Sequence, residues 1–581
     1  MSQIKVFIRL LLFTVGTGGI LLGYPSGGPY GPVSQSYEVP QNANAVYYVA
    51  PDGNESATGT RIGEPTTLEA AISRVSTGDA ILLRGGTYRT GDLKFNQGIL
   101  IQPYLDEQVF IKGSEVANNW SNAGKRLWKT SWWKLFPAEP ESWWRRERHI
   151  KTTPLYWFNN DMVFVDGKLL RPVGRKGDVD EGTYYIDYDA GEVFIGIDPE
   201  GRLVEITAQD NALTRVVEPI HGKESDRKGP VIRGIHFSQY AFRAIEIGGA
   251  DPEAPAHPSK FGKEVVGTVL ENLSMTYCSR VGAYLRGDGL VVRNCLVSDT
   301  ETEGLFIFAS SDVLLERNVF RRNNVQNMQG YYPAAVKIFN QTYRTICRDN
   351  HVYGSPNSSG IWYDVGNVDG IFVDNLIEDV TDGVFFEISK GITVTGNVFV
   401  NCEKGIRSLN GSDLVARYNT LINSMAAFER TTRSAFGDHF GWHPATGPDV
   451  DERDGHVFEH NLLVADKSYD RELLYAHQME EQCEQLTEPP FAALDNNVYV
   501  RAREIGQSPF IHLSPVREDL CSANLDSLAE FKTLNTGFET NSRDWSGFKG
   551  SVFVDAAKYD FRLNPDFAGA DLGAGACPVA D

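Results

Sequence analysis

Positive charge is scarce in this sequence: 55 Lys and Arg stand against 76 Asp and Glu, a net charge of −21. Such a chain repels phosphate as a whole, which argues against nucleic acid or an anionic membrane as partner. A P-loop, a dinucleotide-binding glycine fingerprint and a Ser-centred hydrolase elbow are also missing. The 7 cysteines include no C-x-x-C pair, which argues against a structural zinc site. No low-complexity segment or long charge run points to disorder. The one sustained apolar run, Leu10 to Leu22 (LLLFTVGTGGILL), follows Lys5 and Arg9 and is too short for a comfortable membrane span. It reads as a signal peptide for secretion or periplasmic export over residues 1–23, with an uncleaved membrane anchor as the competing reading. Residues 24–45 read as a linker.

What is present is a repeat. An Asn followed mainly by aliphatic residues returns at Asn272, Asn294, Asn318, Asn350, Asn375, Asn397 and Asn419, with spacings of 22, 24, 32, 25, 22 and 22 residues. Asn461 and Asn497 continue it after longer insertions. A period of this length predicts an all-β solenoid, the right-handed parallel β-helix, in which a buried Asn at each corner bonds the coils above and below. Cys278, Cys295, Cys347 and Cys402 fall on the repeat as core residues, whereas Cys483 and Cys521 could form a disulfide. Residues 46–119 read as the N-terminal cap and first coils, 216–500 as the main β-helix, and 501–581 as its last coils and cap. Residues 120–215 break the repeat with alternating hairpin patterns and hold seven of the 10 tryptophans, including Trp143 and Trp144. They are predicted to form a β-rich, Trp-rich insertion.

The opening YYVAPDG, the stretch TLEAAISRVSTGDAILLRGGTYR and the Asn-marked coils resemble secreted right-handed β-helix carbohydrate-active proteins. That superfamily contains polysaccharide lyases, glycoside hydrolases and epimerases. The resemblance covers roughly residues 46 to 112 and 230 to 500; it specifies fold strongly and reaction weakly.

Eight to ten residues after most repeat asparagines comes a small residue and then a strand: Gly282, Gly304, Ala335, Gly360, Gly383, Gly405 and, at the same offset from Asn419, Ala427. Side chains alternate along a strand, so the second and fourth residues after each small one are expected to point to solvent. The second positions are Tyr284, Phe306, Lys337, Trp362, Phe385, Arg407 and Glu429; the fourth are Arg286, Phe308, Phe339, Asp364, Glu387, Leu409 and Thr431. A solvated sheet face is not expected to carry so many rings around a charge cluster, and this one reads as a sugar-binding surface. The competing reading makes the rings a second small core beneath the insertions. Asp364 and Glu387 share one column on consecutive coils, close enough for paired-carboxylate chemistry, with Lys337 one coil before and Arg407 one after. Two long insertions, 319–334 and 430–456, could wall this face, bringing Tyr331, Tyr332, His439, Trp442 and His443 to it.

The leading expectation is a glycoside hydrolase acting on a polysaccharide or its oligosaccharides, with Asp364 and Glu387 as acid/base and nucleophile or water-activating pair. Lys337 and Arg407 would pair with them or hold an anionic sugar, and His439 or His443 could serve as base. Trp362, Phe385, Phe306, Phe339, Tyr331, Tyr332, Arg286, Glu429 and Trp442 would contact substrate. The alternative is a polysaccharide lyase, in which Lys337, a histidine or Tyr331/Tyr332 abstracts a proton and Arg407 neutralises a uronate. Asp364 with Glu387 would then hold Ca²⁺. The Asn-Glu-Glu calcium pattern of known β-helix lyases is missing, as is the D-P-H-D signature of alginate epimerases. A non-catalytic glycan-binding protein is the third reading. No other cofactor is implied, and neither the sugar nor the oligomeric state is legible.

Overall fold

The computed structural model describes residues 26–137, 154–250, 257–325, 327, 333–432, 452–516, 520–534 and 537–580. Short apolar strands separated by sharp corners wind into the predicted parallel β-helix, built from three sheets of 13 strands each. One coil shows the pattern: Val269–Glu271 lies in the first sheet, Ser274–Cys278 in the second and Val281–Arg286 in the third. Each strand pairs with its counterpart one coil away, as Val291↔Leu314, Leu296↔Val319 and Leu305↔Val336. Inward residues such as Leu270, Val292, Leu315 and Phe372 stack as one continuous core. Cys278, Cys295, Cys347 and Cys402 are buried in it as free thiols, and Cys483 is bonded to Cys521.

The corner between the first and second sheets carries the asparagine ladder. The backbone N–H of Asn318 donates to Asn350 Oδ1. The backbone N of Asn350 bonds Asn375 Oδ1, and the pattern runs through Asn397, Asn419 and Asn461 to Asn497. All seven are buried. Asn272 and Asn294 correct the sequence reading, because they lie one residue earlier in the coil, at the positive-φ corner that Arg317 and Asp349 occupy in later coils. Their ladder positions hold Leu273 and Cys295, and Asn272 and Asn294 bond the N-terminal segment at Val33 and Gly31 instead. The spacing of 24 between Asn294 and Asn318 conceals this one-residue slip, since the coils themselves are 23 apart, Val291 pairing with Leu314.

Between Ser114 and Thr207 the chain leaves the solenoid and forms two small, mostly antiparallel sheets. Their core is Val163, Val165, Ile186, Val193 and Ile206, with Trp120, Trp128 and Trp132 packed against it. Strand Asn211–Arg215 already belongs to the third sheet. Ser279 Oγ bonds Asn160, and Arg280 reaches the Phe158 carbonyl, so the insertion is seated on the coil that enters the strand of Tyr284. Trp143 and Trp144 lie outside the described residues. At the start of the solenoid, helix Leu68–Arg74, capped by Thr67, covers the core with Leu68, Ala71 and Ile72. At its end, Ile511–Leu513 and Ala523–Leu525 pair antiparallel and helix Leu528–Leu534 buries Leu528 and Phe531. Among the described residues no helix is long and apolar enough to cross a membrane; the apolar run at Leu10–Leu22 lies outside them.

Candidate active site

The third sheet brings the outward columns together in the expected register. Phe306, Lys337, Trp362, Phe385 and Arg407 are successive partners in one column, and Phe308, Phe339, Asp364, Glu387 and Leu409 in the next. Two features differ from expectation. Glu429 falls in the second of these columns, opposite Leu409, while Ala427 partners Arg407. The chain takes ten residues from Asn397 to Arg407 but eight from Asn419 to Ala427, so a constant offset from the ladder misplaces Glu429 by two. A two-residue slip preserves the face and changes the column. Thr431 correspondingly lies beyond the end of strand Met425–Arg430.

The second correction concerns solvent. The outward residues are buried: Trp362 is 4% exposed, Phe385 5%, Asp364 6% and Glu387 0%. Side-chain alternation fixes which way a residue leaves the coil, and says nothing of what lies over it. Phe306 and Phe339 pack with Tyr284 against Phe261, Phe308 and Tyr343. Arg286 is tied into that cluster, its guanidinium 4.5 Å from the Phe308 centroid and bonded to the Gly249 carbonyl. Tyr331, Tyr332, His439, Trp442 and His443 lie outside the described residues.

Around the two carboxylates the column forms a pile of rings closed by cations. Trp362 and Phe385 stack at 4.9 Å with 20° between planes. Lys337 Nζ sits 4.1 Å over Trp362 on one side, and the Arg407 guanidinium 4.3 Å over Phe385 on the other. Such contacts are strongest where water is excluded. Each acid has a distinct partner. Asp364 Oδ2 is 3.0 Å from Lys337 Nζ, and Glu387 Oε2 accepts a 3.0 Å hydrogen bond from the Trp362 indole N–H. Arg407, expected to pair with Asp364 and Glu387, instead bridges Glu429, at 2.6 Å, and Asp382, at 3.4 Å, carboxylates within its reach on the coils before and after its own, while Lys404 lies 3.7 Å from Glu429.

Burial works against charge on Arg407, but Asp382 and Glu429 outweigh it and hold the guanidinium above its ordinary value. Burial would likewise raise the Glu429 carboxyl; the charges of Arg407 and Lys404 and the bond from Arg407 bring it below the usual carboxylate range. Glu303, one coil from Lys337, goes the other way: burial raises it despite its bond to Thr302 and the nearby cations Lys337 and Arg280.

Asp382, Glu303 and Lys404 escaped the sequence reading because they precede the small residue from which the outward positions were counted. The signal was present, since each begins its strand one residue before Gly383, Gly304 or Gly405. Among the described residues no group of three His, Cys, Asp or Glu side chains is arranged to hold a metal ion.

A family model described as a right handed beta helix region matches residues 261–424. Pectate lyase L of Dickeya dadantii (strain 3937) is 46% identical over 43 residues, 7% of this chain and a tenth of that protein. Among solved structures, XylC in complex with xylose superposes with a TM-score of 0.59 at 14% identity, covering 87% of this chain and 86% of that one. The lacto-N-biosidase of Eubacterium ramulus gives a TM-score of 0.41 at 12% identity, covering 75% of this chain and 66% of its own. Sheet topology, family match and superposition agree on the architecture: the chain is built on a right-handed parallel β-helix.

Proposed function

We propose that the chain is a glycoside hydrolase acting on a neutral polysaccharide or its oligosaccharides through Asp364 and Glu387. The observation that carries this reading is that the two carboxyl groups are register partners on adjacent rungs, yet sit in different electrostatic settings. Glycoside hydrolysis needs one carboxyl that stays anionic and one that delivers a proton. Lys337 Nζ, 3.0 Å from Asp364 Oδ2, holds that carboxylate in an ion pair, which suits it to attack the anomeric carbon. Glu387 is fully buried and oriented by the Trp362 indole, which suits it to protonate the leaving oxygen and then to draw a proton from the incoming water. Adjacent rungs are ~4.8 Å apart, which places the two carboxyl groups roughly 5 to 7 Å apart depending on rotamer, a range that spans the retaining and inverting geometries.

Charge favours a neutral substrate. Around the pair, the cations Lys337, Lys404 and Arg407 are met by four carboxylates, Asp364, Asp382, Glu387 and Glu429. Among the described residues around the pair, no surplus positive charge is left for the carboxylate of a uronic acid. Xylose, which the superposed XylC binds, is a neutral sugar, so xylo-oligosaccharides are the first substrates to try. The short identity with pectate lyase L is what favours the second reading, a lyase with Lys337 as base and Arg407 on the uronate.

The test is a glycan screen read by reducing ends and by ultraviolet absorption, with Asp364→Asn and Glu387→Gln beside the wild type. Hydrolysis gives reducing ends without an absorbing double bond, and each variant is expected to lose activity by about 10²–10⁴-fold. Folded variants with full activity would overturn the assignment, and an unsaturated product would establish the lyase. The anomer first released, followed by NMR, decides between retention and inversion.

A further inference from the structure

Beyond Glu429 the outer face of the third sheet changes character. Tyr475 partners Ala427, His477 partners Glu429, and His512 partners Tyr475 on the following coil. The three rings make one cluster, with centroids 4.8 Å apart for Tyr475 and His512, 5.4 Å for Tyr475 and His477, and 5.2 Å for the two histidines. Rings that cover one another's faces offer their edges outward. All three are half-buried, in contrast to the buried Trp362, Asp364 and Glu387.

Hydrogen bonds settle which edge atoms are available. His512 Nδ1 is 2.7 Å from Asn524 Oδ1, an acceptor, so in the neutral imidazole the proton belongs on Nδ1 and the lone pair on Nε2. His477 Nδ1 is 3.1 Å from that Nε2, so His477 donates through Nδ1 and its own Nε2 remains an acceptor. Burial favours neutral His477, against the pull of Glu429. Among the described residues neither His477 Nε2 nor the Tyr475 hydroxyl has a hydrogen-bond partner. An acceptor and a donor thus stand side by side on rigid strands, the pairing that a sugar hydroxyl satisfies from both sides.

His477 is three rungs from Glu387 in the same column, roughly 14 Å at ~4.8 Å per rung. We infer that Tyr475, His477 and His512 form a distal subsite that binds hydroxyls of a neutral oligosaccharide beyond the ring being cleaved; this rests on the hydrolase reading for its substrate. The ladder Arg407, Glu429, His477 then gives the substrate a direction along the solenoid, away from Lys337.

The experiment compares Tyr475→Phe and His477→Gln with wild type on xylo-oligosaccharides of increasing length, using kcat/KM and, in the Glu387→Gln background, calorimetric binding. The loss is expected to grow with chain length, reaching about three- to ten-fold for the longest, the worth of one neutral hydrogen bond. A loss equal at all lengths, or none, overturns the subsite. If wild type binds these oligosaccharides without cleaving them, the hydrolase reading fails on its own, and the length dependence of binding still decides the subsite. Wild type that binds none of them overturns it.

Discussion

Trp362 performs two tasks with one side chain: its face lies under the Lys337 ammonium and against Phe385, and its edge donates to Glu387. The first is packing and the second is orientation, so they can be separated by substitution. Trp362→Phe keeps a ring in the pile and removes the indole N–H. Expected is a fall in kcat of roughly ten-fold, the scale of one hydrogen bond, with KM little changed, because the lost bond holds the acid/base group. Steady-state kinetics on the best substrate from the screen checks it; an equal rise in KM would place Trp362 against the sugar instead. Sequence reading found Trp362, Asp364 and Glu387 because period-two alternation and a fixed coil length determine column and face. Burial was legible only as the competing reading, a second small core, because alternation fixes the direction in which a side chain leaves the coil and not what lies over it.

At the scale of elements, the asparagine ladder holds the coils in register. Asn397 donates from Nδ2 to the Phe372 carbonyl and to Asn419 Oδ1, and its Oδ1 accepts from Asn375 N and Nδ2. Asn397→Ala would orphan several buried groups at about 1–3 kcal/mol each, so a loss of at least ~3 kcal/mol is expected in urea unfolding. Asn272→Gly, by contrast, keeps the positive-φ corner accessible and leaves the ladder intact, removing two bonds to Val33 and one to Tyr37 at roughly 0.5–1.5 kcal/mol each, so a smaller loss than at Asn397 is expected. Equal losses would contradict the separation of the two positions. This pair also explains why the repeat was legible to within one residue. Asn is favoured at a left-handed corner for its backbone tolerance, and at the next position for its amide, so the same letter marks both and spacing alone decides between them. Glu429 was misplaced by the same kind of assumption, that each coil has equal length.

At the scale of the whole molecule, a stack of coils leaves its two ends and its outer faces to be covered. The last residues return along the second sheet, where Val552, Phe553, Phe561 and Phe567 cover Leu376, Val398, Leu462 and Val498. The ladder itself ends on Ser542 and Glu539: Asn497 N bonds Ser542 Oγ, and Tyr499 and Asn497 both donate to Glu539. Burial pushes the Glu539 carboxyl up to about 7 from an ordinary 4.5, against the bonds from Ser542, Tyr499 and Asn497. The folded protein therefore retains a proton that the unfolded chain releases, so the stability linked to this group is complete below pH 4.5 and is lost as pH rises to about 7. The loss approaches ~3 kcal/mol, taking 1.36 kcal/mol per unit. Glu539→Gln keeps an acceptor for Tyr499 and removes the titration. Its unfolding free energy is expected to be flatter than that of wild type between pH 5 and pH 7 and higher above it, as measured by denaturant titration at each pH. A variant that falls with rising pH as steeply as wild type would move this pH dependence elsewhere, with Asp161 as the next group to examine. Buried in the insertion and pushed up to about 6, it would carry the same sign of dependence over a narrower window.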